Sequence, residues 1–375
     1  MIWFLIISIG LYTLLMLLFS IGFIKLEKFV PQKMAPKTTF SVVIPFRNEA
    51  EKLPALLQSL SALKYPERLA EILFVNDASE DKSVAIIQEF ILKNKLSNWT
   101  LLENERKTGS PKKDAISLAI SQAKNDWIFT TDADCILPEN LLKNLNAFVQ
   151  KKPSKMIAGS VLAVSEERNF TVHYQFLESL TLAGVTMGAF GMDKPILCNG
   201  AHLAYSKNAF EEVGGFSGNN HIASGDDLFL LEKMQKAFPE EVHFLKNKEQ
   251  LVLTRTELNW SSVLQQRVRW AAKTSGYKSL FSKFTGVVVL AANMSVIIAF
   301  IYLFQTENGL FFMMLILLKW VVDEFFLYQV NAFFKLEINW LYLRLMALLY
   351  PVLTIYIAVR ALFGSYVWKG RRFNK

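Results

Sequence analysis

Between Phe40 and Asp134, short apolar runs alternate strictly with segments of helical period, and this alternation constrains the fold more than any other feature. FSVVIPF (40–46), EILFVND (71–77), WTLLE (99–103) and DWIFTTD (126–132) have strand character. Between them, residues 49–63, SVAIIQEFILKN (83–94) and KKDAISLAISQA (112–123) have helical period. Strands joined by helices of this length imply right-handed crossovers, and hence an α/β fold with a mostly parallel, Rossmann-like sheet covered by helices on both faces. Ligands of such sheets bind beyond the carboxyl ends of the strands. That rule gathers Arg47, Glu49, Asn76, Asp77, Asp132 and Asp134 on one edge.

The last strand runs straight into two carboxylates in IFTTDADCI (128–136). Like charges this close repel and lose hydration unless a cation or hydrogen-bond donors compensate. Mg²⁺ is often held by one or two carboxylates together with substrate phosphates. With 33 acids in 375 residues, about three acid-x-acid patterns arise by chance, so the pattern gains meaning only from its place at a strand end.

Apolar residues make up 52% of the chain and concentrate at its two ends. Ile2 to Ile24 carry no charge over a length that spans a bilayer, and the basic start, short apolar core and small-residue cleavage site of a signal peptide are absent. Residues 1–25 are therefore expected to be a retained transmembrane anchor. Lys25, Lys28, Lys33 and Lys37 follow it, which by the positive-inside tendency places the next domain in the cytoplasm of a multi-pass membrane protein, with a bacterial inner membrane as the expected setting. The net charge of +8 suits anionic lipid and a phosphorylated substrate, while the scattered Lys and Arg and the lack of a base-reading motif argue against nucleic acid. Cys135 and Cys198 offer neither a disulfide framework nor a zinc site, and His173, His221 and His243 have no ligand spacing.

Three further apolar stretches, 284–304, 310–330 and 340–363, place a C-terminal membrane region at 284–368. The middle one holds Lys319, Asp323 and Glu324; Lys319 and Asp323 are four apart and can pair along one helix face, so this stretch either lines a polar path or crosses incompletely. Three full crossings would put KGRRFNK outside, against the positive-inside tendency; a hairpin at Pro351 or an incomplete second crossing would return Lys369, Arg371, Arg372 and Lys375 to the cytoplasm.

SVVIPFRNEA, FVNDASEDKS, KKDAISLAI, TTDADC, NGAHLAYSKNAFEEVGGF, GDDLFLL and QQRVRW occur in that order. Together they resemble the membrane-associated members of glycosyltransferase family 2, relatives of cellulose, chitin and hyaluronan synthases, over about residues 38–275. The resemblance implies a type A glycosyltransferase fold in a cytoplasmic domain at 38–280. It implies a nucleotide-sugar site at Pro45, Arg47, Glu49, Asp77, Lys113 and Asp132, with Asp77 accepting the N3–H of a uracil ring. It also implies a divalent cation, Mg²⁺ or Mn²⁺, on Asp132 and Asp134. Where the family often has Gly-Lys this chain has GSPKKDA, so either Lys112 or Lys113 would reach phosphate. Asp226–Asp227 replaces the usual Glu-Asp pair and keeps the second position, Asp227, as general base toward the acceptor hydroxyl. Gln266, Arg269 and Trp270 match the Gln-x-x-Arg-Trp signature, a diphosphate clamp and a sugar-stacking face; His202 falls where the family places acceptor-side residues. Residues 259–277 also read as an interfacial amphipathic helix, with Arg255, Arg267, Arg269 and Lys273 near headgroups. The implied function is inverting transfer of a sugar, from a UDP-sugar in the first instance, to a lipid or polysaccharide acceptor. A non-catalytic nucleotide-sugar-binding subunit of a synthase complex is the alternative. No Gly-x-Gly-x-x-Gly follows the first strand, which counts against a dinucleotide oxidoreductase.

Overall fold

The computed structural model describes every residue except 221, 223, 306, 364, 365, 369, 370, 374 and 375, with backbone alone for 275, 366–368 and 371–373. His221, Lys369 and Lys375 therefore lie outside the described residues, as do the side chains of Arg371 and Arg372. The chain divides into two compact units. One comprises Met1–Leu26, Val164–Ile196 and Thr256–Lys375; the other comprises Glu27–Ala163 and Leu197–Arg255. Residues 164–196 and 256–280, expected within a continuous domain from 38 to 280, thus group with the helical unit.

The second unit is built on a seven-stranded sheet in the order β3-β2-β1-β4-β8-β6-β9. The four strands expected from sequence form its first half: β1 (Phe40–Phe46), β2 (Ala70–Asn76), β3 (Trp99–Glu103) and β4 (Trp127–Thr130). They are parallel, with Phe40 opposite both Ala70 and Trp127, and Ile72 opposite Trp99. The central strand β1 is buried except at Pro45, as its unbroken apolar run requires. Pro45 sits in that strand without loss of a ladder bond. Val43 O accepts from Thr131 N, so alternate residues of β1 face β4, and the β1–β4 register ends at Val43 opposite Thr130 before Pro45 is reached.

Helices α2 (Leu53–Ser61), α3 (Ser83–Asn94) and α5 (Leu141–Lys151) cover one face; their Leu56, Leu57, Ile87, Leu141 and Leu145 pack with Phe40, Val42, Ile44 and Phe74 of the sheet. Helix α4 (Pro111–Gln122) packs against β1 and β2, burying Ile116, Ala119 and Ile120. The second half of the sheet is mixed. Strand β8 (Leu203–Ser206) is antiparallel to both β4 and β6 (Met156–Ala158), and β9 (Val242–Phe244) is parallel to β6. A smaller sheet joins β5 (Cys135–Ile136), β10 (Val252–Arg255) and β7 (Val161–Val164). Helices α7 (Lys207–Glu212) and α8 (Asp226–Ala237) complete this unit.

The helical unit holds α1 (Ile2–Lys25), α6 (Phe170–Gly191), α9 (Trp260–Ala272), α10 (Leu280–Leu303), α11 (Gly309–Phe334) and α12 (Trp340–Phe363), with a hairpin of β11 (Tyr366–Trp368) and β12 (Arg371–Phe373). Glycine lets α1 and α6 touch backbone to backbone: a Cβ on Gly22 would stand 2.1 Å from Gly188 O, and one on Gly191 1.9 Å from Gly22 O. Helices α1, α10 and α12 are long and apolar enough to cross a membrane. Helix α11 is continuous but carries Lys319, Asp323 and Glu324. Lys319 is buried and pairs with Asp323 at 2.6 Å, and Tyr12 of α1 donates to the same carboxylate at 2.6 Å. Pairing therefore disposes of the charges of Lys319 and Asp323, as their i,i+4 spacing suggests. Helix α12 runs through Pro351 unbroken, so the hairpin considered at that proline does not form.

Candidate active site

The carboxyl edge of the parallel strands carries two loops locked to each other. Asp77 N donates to Phe46 O at 2.9 Å, and the backbone amides of Asn48 and Glu49 donate to Ser79 Oγ and Ser83 Oγ at 3.1 and 2.8 Å. Asn48 (φ 51°) and Ala78 (φ 56°) both adopt the left-handed region, which for alanine costs roughly 1–2 kcal/mol. Arg47 offsets this strain by donating to the carbonyls of Asp77 and Ala78 while pairing with Glu80 at 2.8 Å. Its guanidinium shapes the loop that presents Asp77.

Asp77 is nearly buried, and its Oδ1 accepts from Asn104 Nδ2 and Arg106 Nε, each at 2.9 Å. Neither Asn104 nor Arg106 was singled out from sequence. The signal was available, because both stand just after the third parallel strand, where the same strand-end rule applies.

Asp132 and Asp134 stand just beyond β4, each with a lysine beside it. Lys112 Nζ lies 2.8 Å from Asp132 Oδ1, and Lys52 Nζ lies 3.7 Å from Asp134 Oδ2 and 3.8 Å from Glu49 Oε2. Lys112 also reaches Asp226 at 3.3 Å. One ammonium thus joins the sheet-edge carboxylate to the acidic first turn of α8. Burial works against that charge, but Asp132 first, then Asp226 and Asp227, outweigh it and hold the Lys112 pKa above the ordinary lysine range. Gly225, at φ 84°, turns the chain into α8. Asp227 accepts from Leu228 N at 2.8 Å and from Gly200 N at 3.4 Å. Thr130 donates to Gly200 O at 2.7 Å, which fixes Gly200 against the end of β4. A Cβ there would approach Asp226 Oδ2 to 3.1 Å, so the Asn-Gly of CNGAH leaves space for the acidic pair.

The two adjacent lysines diverge. Lys113 is buried, and its Nζ donates to Asn219 O and Ile222 O at 2.7 and 2.9 Å, away from the carboxylates that Lys112 holds. Of the two, Lys112 is the lysine at the strand-edge carboxylates. His202 is wholly buried under Gly159, with Nδ1–H donating to Ser160 O at 3.1 Å, and burial pushes its pKa down to about 4. A neutral ring in that position is a core group, not an acceptor-facing one. Burial, then Asp134 and Asp132, push the Cys135 thiol up, so it is no nucleophile.

Gln266, Arg269 and Trp270 lie on α9 of the helical unit. Arg267, expected among headgroups, is instead buried against Glu178 at 2.5 Å and lies over the Trp270 ring at 4.3 Å; Tyr174 donates to the same Glu178 at 3.1 Å. A carboxylate partner on another helix, absent from the local pattern of α9, accounts for the difference.

Asp132 and Asp134 supply oxygen ligands only, and among the described residues no group of three or more His, Cys, Asp or Glu side chains is placed to hold a metal. Two carboxylates completed by phosphate oxygens and water fit a hard cation such as Mg²⁺ or Mn²⁺.

Residues 41–214, which include β1 to β4, Asp77, Lys112, Asp132, Asp134 and Gly200, match the family described as glycosyl transferase family 2. This segment is a glycosyltransferase family 2 domain. Among curated proteins, the chain is 29% identical over 118 residues to the poly(ribitol-phosphate) beta-N-acetylglucosaminyltransferase TarS of Staphylococcus aureus, covering 32% of this chain and 20% of that protein. It is 23% identical over 252 residues to a poly-beta-1,6-N-acetyl-D-glucosamine synthase of Staphylococcus epidermidis, covering 66% of this chain and 57% of that one. The chain thus spans between a fifth and just over half the length of these relatives. Among solved structures, a mannosyltransferase of Pyrobaculum calidifontis, captured with GDP-mannose and Mn²⁺, superposes with a TM-score of 0.61 at 16% identity, over 96% of this chain and 98% of that one. That likeness establishes the type A glycosyltransferase fold.

Proposed function

We propose that this protein is a membrane-bound inverting glycosyltransferase that moves a sugar from a nucleotide-sugar donor to a hydroxyl of a lipid or polysaccharide acceptor. The observation that carries the proposal is Lys112, which brings the strand-edge Asp132 and the α8 acid Asp226 into one charged cluster, with Asp227 beside it on Gly200. Donor-binding and proton-accepting groups are thereby assembled in one place.

In this reading Asp77 accepts the uracil N3–H, with Pro45, Arg47 and Glu49 shaping the walls of the base and ribose site. Asp132 and Asp134 hold a divalent cation, which when bound neutralises the departing diphosphate as a Lewis acid. Lys112 supplies fixed positive charge to the same phosphates. Asp227 takes the acceptor proton as the acceptor oxygen attacks the anomeric carbon, and a single displacement inverts configuration. Asp226 keeps Lys112 in position. Gln266, Arg269 and Trp270 are assigned to acceptor or diphosphate on their motif. The lysines after α1 support a cytoplasmic catalytic domain.

TarS and the Staphylococcus epidermidis synthase are both named for N-acetylglucosamine, which supports UDP-N-acetylglucosamine as the first donor to try; GDP-mannose in the Pyrobaculum structure keeps GDP-sugars in the panel. The test is purified full-length protein in detergent with Mn²⁺ or Mg²⁺, a panel of UDP- and GDP-sugars, and mass analysis of extracted lipid and polymer. A labelled glycolipid or polymer of inverted configuration is expected. Donor binding without any transfer, across the panel and with added membrane lipids, would sink the enzymatic reading.

A further inference from the structure

Between α7 and α8 the chain leads into Asp226 and Asp227, and two lysine ammonium groups hold backbone carbonyls of its residues 214–222 at Gly214, Gly215, Ser217, Asn219 and Ile222. Lys233 of α8 donates to Gly215 O at 2.7 Å and Ser217 O at 2.9 Å, with Gly214 O at 3.5 Å. Lys113 of α4 takes the other end, its Nζ donating to Asn219 O at 2.7 Å and Ile222 O at 2.9 Å. The same ammonium lies 4.9 Å from the ring centre of Phe229 on α8. Lys113 is 1% exposed. A buried ammonium is tolerated only while acceptors surround it, so the burial of Lys113 and the position of the loop stabilise each other.

In the middle of the loop Phe216 packs edge-on against Phe210 of α7, with ring centres 5.1 Å apart. A cleft of about 380 Å³, lined by Lys113, Ser117, Phe210, Phe216 and Asn220 among others, opens between α4 and the loop. The carbonyl–lysine bonds at the two ends of the loop add to the restraint that this packing supplies. The residue before Lys113 is Lys112, on Asp132 and Asp226. One turn of α4 grips both the sheet-edge carboxylate and the loop that delivers the α8 acids.

We propose that Lys113 is a positioning residue: through Asn219, Ile222 and Phe229 it sets where the first turn of α8 stands, and so where Asp227 meets the acceptor. This rests on the reading of Asp227 as the base. Displacement of a reacting group by about 1 Å costs on the order of a hundredfold in rate. Loss of Lys113 should therefore lower kcat while leaving the donor site at the strand ends as it was.

The test uses full-length protein in detergent with Mn²⁺, reading UDP affinity by calorimetry and the kcat and KM of UDP release from UDP-N-acetylglucosamine, or from whichever donor the panel selects. Lys113→Met keeps the stem and its contact with Phe229 but removes the donors. It is expected to lower kcat roughly 10- to 100-fold with UDP affinity within about twofold, and Lys113→Arg, which retains donors, to recover part of the loss. In an Asp227→Asn background the same Lys113→Met change should cost about threefold or less, because the group it positions no longer works. Unchanged kcat in Lys113→Met, a parallel loss of UDP binding, or a full 10- to 100-fold effect in the Asp227→Asn background would each overturn the proposal. Asp227→Asn alone reports separately on the base: its full activity would overturn that assignment whatever Lys113 does.

Discussion

Replacing Asp227 by Asn separates chemistry from architecture, because the amide keeps the size and shape of the side chain and removes its basicity. The carboxylate accepts backbone N–H bonds from Leu228 at 2.8 Å and Gly200 at 3.4 Å, at the first turn of α8. Asparagine keeps one carbonyl oxygen for the shorter bond, loses the longer one, and removes a negative charge from a helix N-terminus. Those losses are worth about 1 kcal/mol and 0.3–1 kcal/mol, so local stability should fall by roughly 1–2 kcal/mol. A general base contributes about a hundred- to ten-thousand-fold, or about 2.7–5.4 kcal/mol of barrier. The two ranges do not overlap. Turnover should therefore fall by at least about a hundredfold while UDP affinity, which depends on Asp77 and the strand-end acids, stays within about threefold. Asp226→Asn should cost less, about tenfold, since it only weakens the 3.3 Å hold on Lys112. The assay is kcat for both variants beside UDP binding by calorimetry. A larger loss for Asp226→Asn, or loss of UDP binding by Asp227→Asn, would show that the base lies elsewhere.

Other expectations follow from the buried groups. His202 has its pKa lowered from 6.5 to about 4 by burial, so the unfolded chain binds the extra proton first; stability present above pH 6.5 should decline by up to about 3 kcal/mol as pH falls to 4, and His202→Gln should flatten that slope in denaturant titrations. Gly159→Ala places a Cβ 2.2 Å from the His202 ring, and the overpacking should lower stability by about 1–3 kcal/mol, seen as a lower denaturation midpoint, or prevent folding; a wild-type midpoint would contradict the close packing. Lys319→Met leaves Asp323 with Tyr12 as a donor but without its cation, so the helical unit should lose heat resistance in detergent, and Lys319→Met/Asp323→Leu together should restore most of it.

The parallel half of the fold was legible because β1, β2 and β4 are largely buried and write that burial as nearly continuous apolar runs. FSVVIPF coincides with β1 and SVAIIQEFILKN with α3. The mixed half was not. Strand β8 has four residues and β5 has two, too short for a period, and their pairing with β4 and β10 depends on contacts distant in sequence. Helix α6 was missed because glycines interrupt its apolar face: Gly188 and Gly191 serve close backbone packing on α1, and Gly184 makes room for Val330 and Phe326 of α11. Strand-end acids were visible because topology alone collects them. Lys112 and Lys113 were not separable, since neighbours on a helix point about 100° apart and only the structure shows which faces Asp132. Arg267 read as a headgroup contact because its partner, Glu178, comes from another helix.

The account turns on Asp132 and Asp134 working as a pair for a cation and a diphosphate. The direct measurement is nucleoside-diphosphate release from the preferred nucleotide sugar by purified full-length protein, with Mn²⁺ and with excess EDTA, for the wild type and for Asp134→Asn. Asp134 pairs with Lys52 at 3.7 Å and accepts from the Cys135 thiol at 3.7 Å, both long contacts, so the amide should leave the fold intact. The prediction is turnover with Mn²⁺, its loss in EDTA, and loss of most of it in Asp134→Asn even at saturating Mn²⁺. Undiminished turnover in excess EDTA, or a fully active Asp134→Asn, would contradict it.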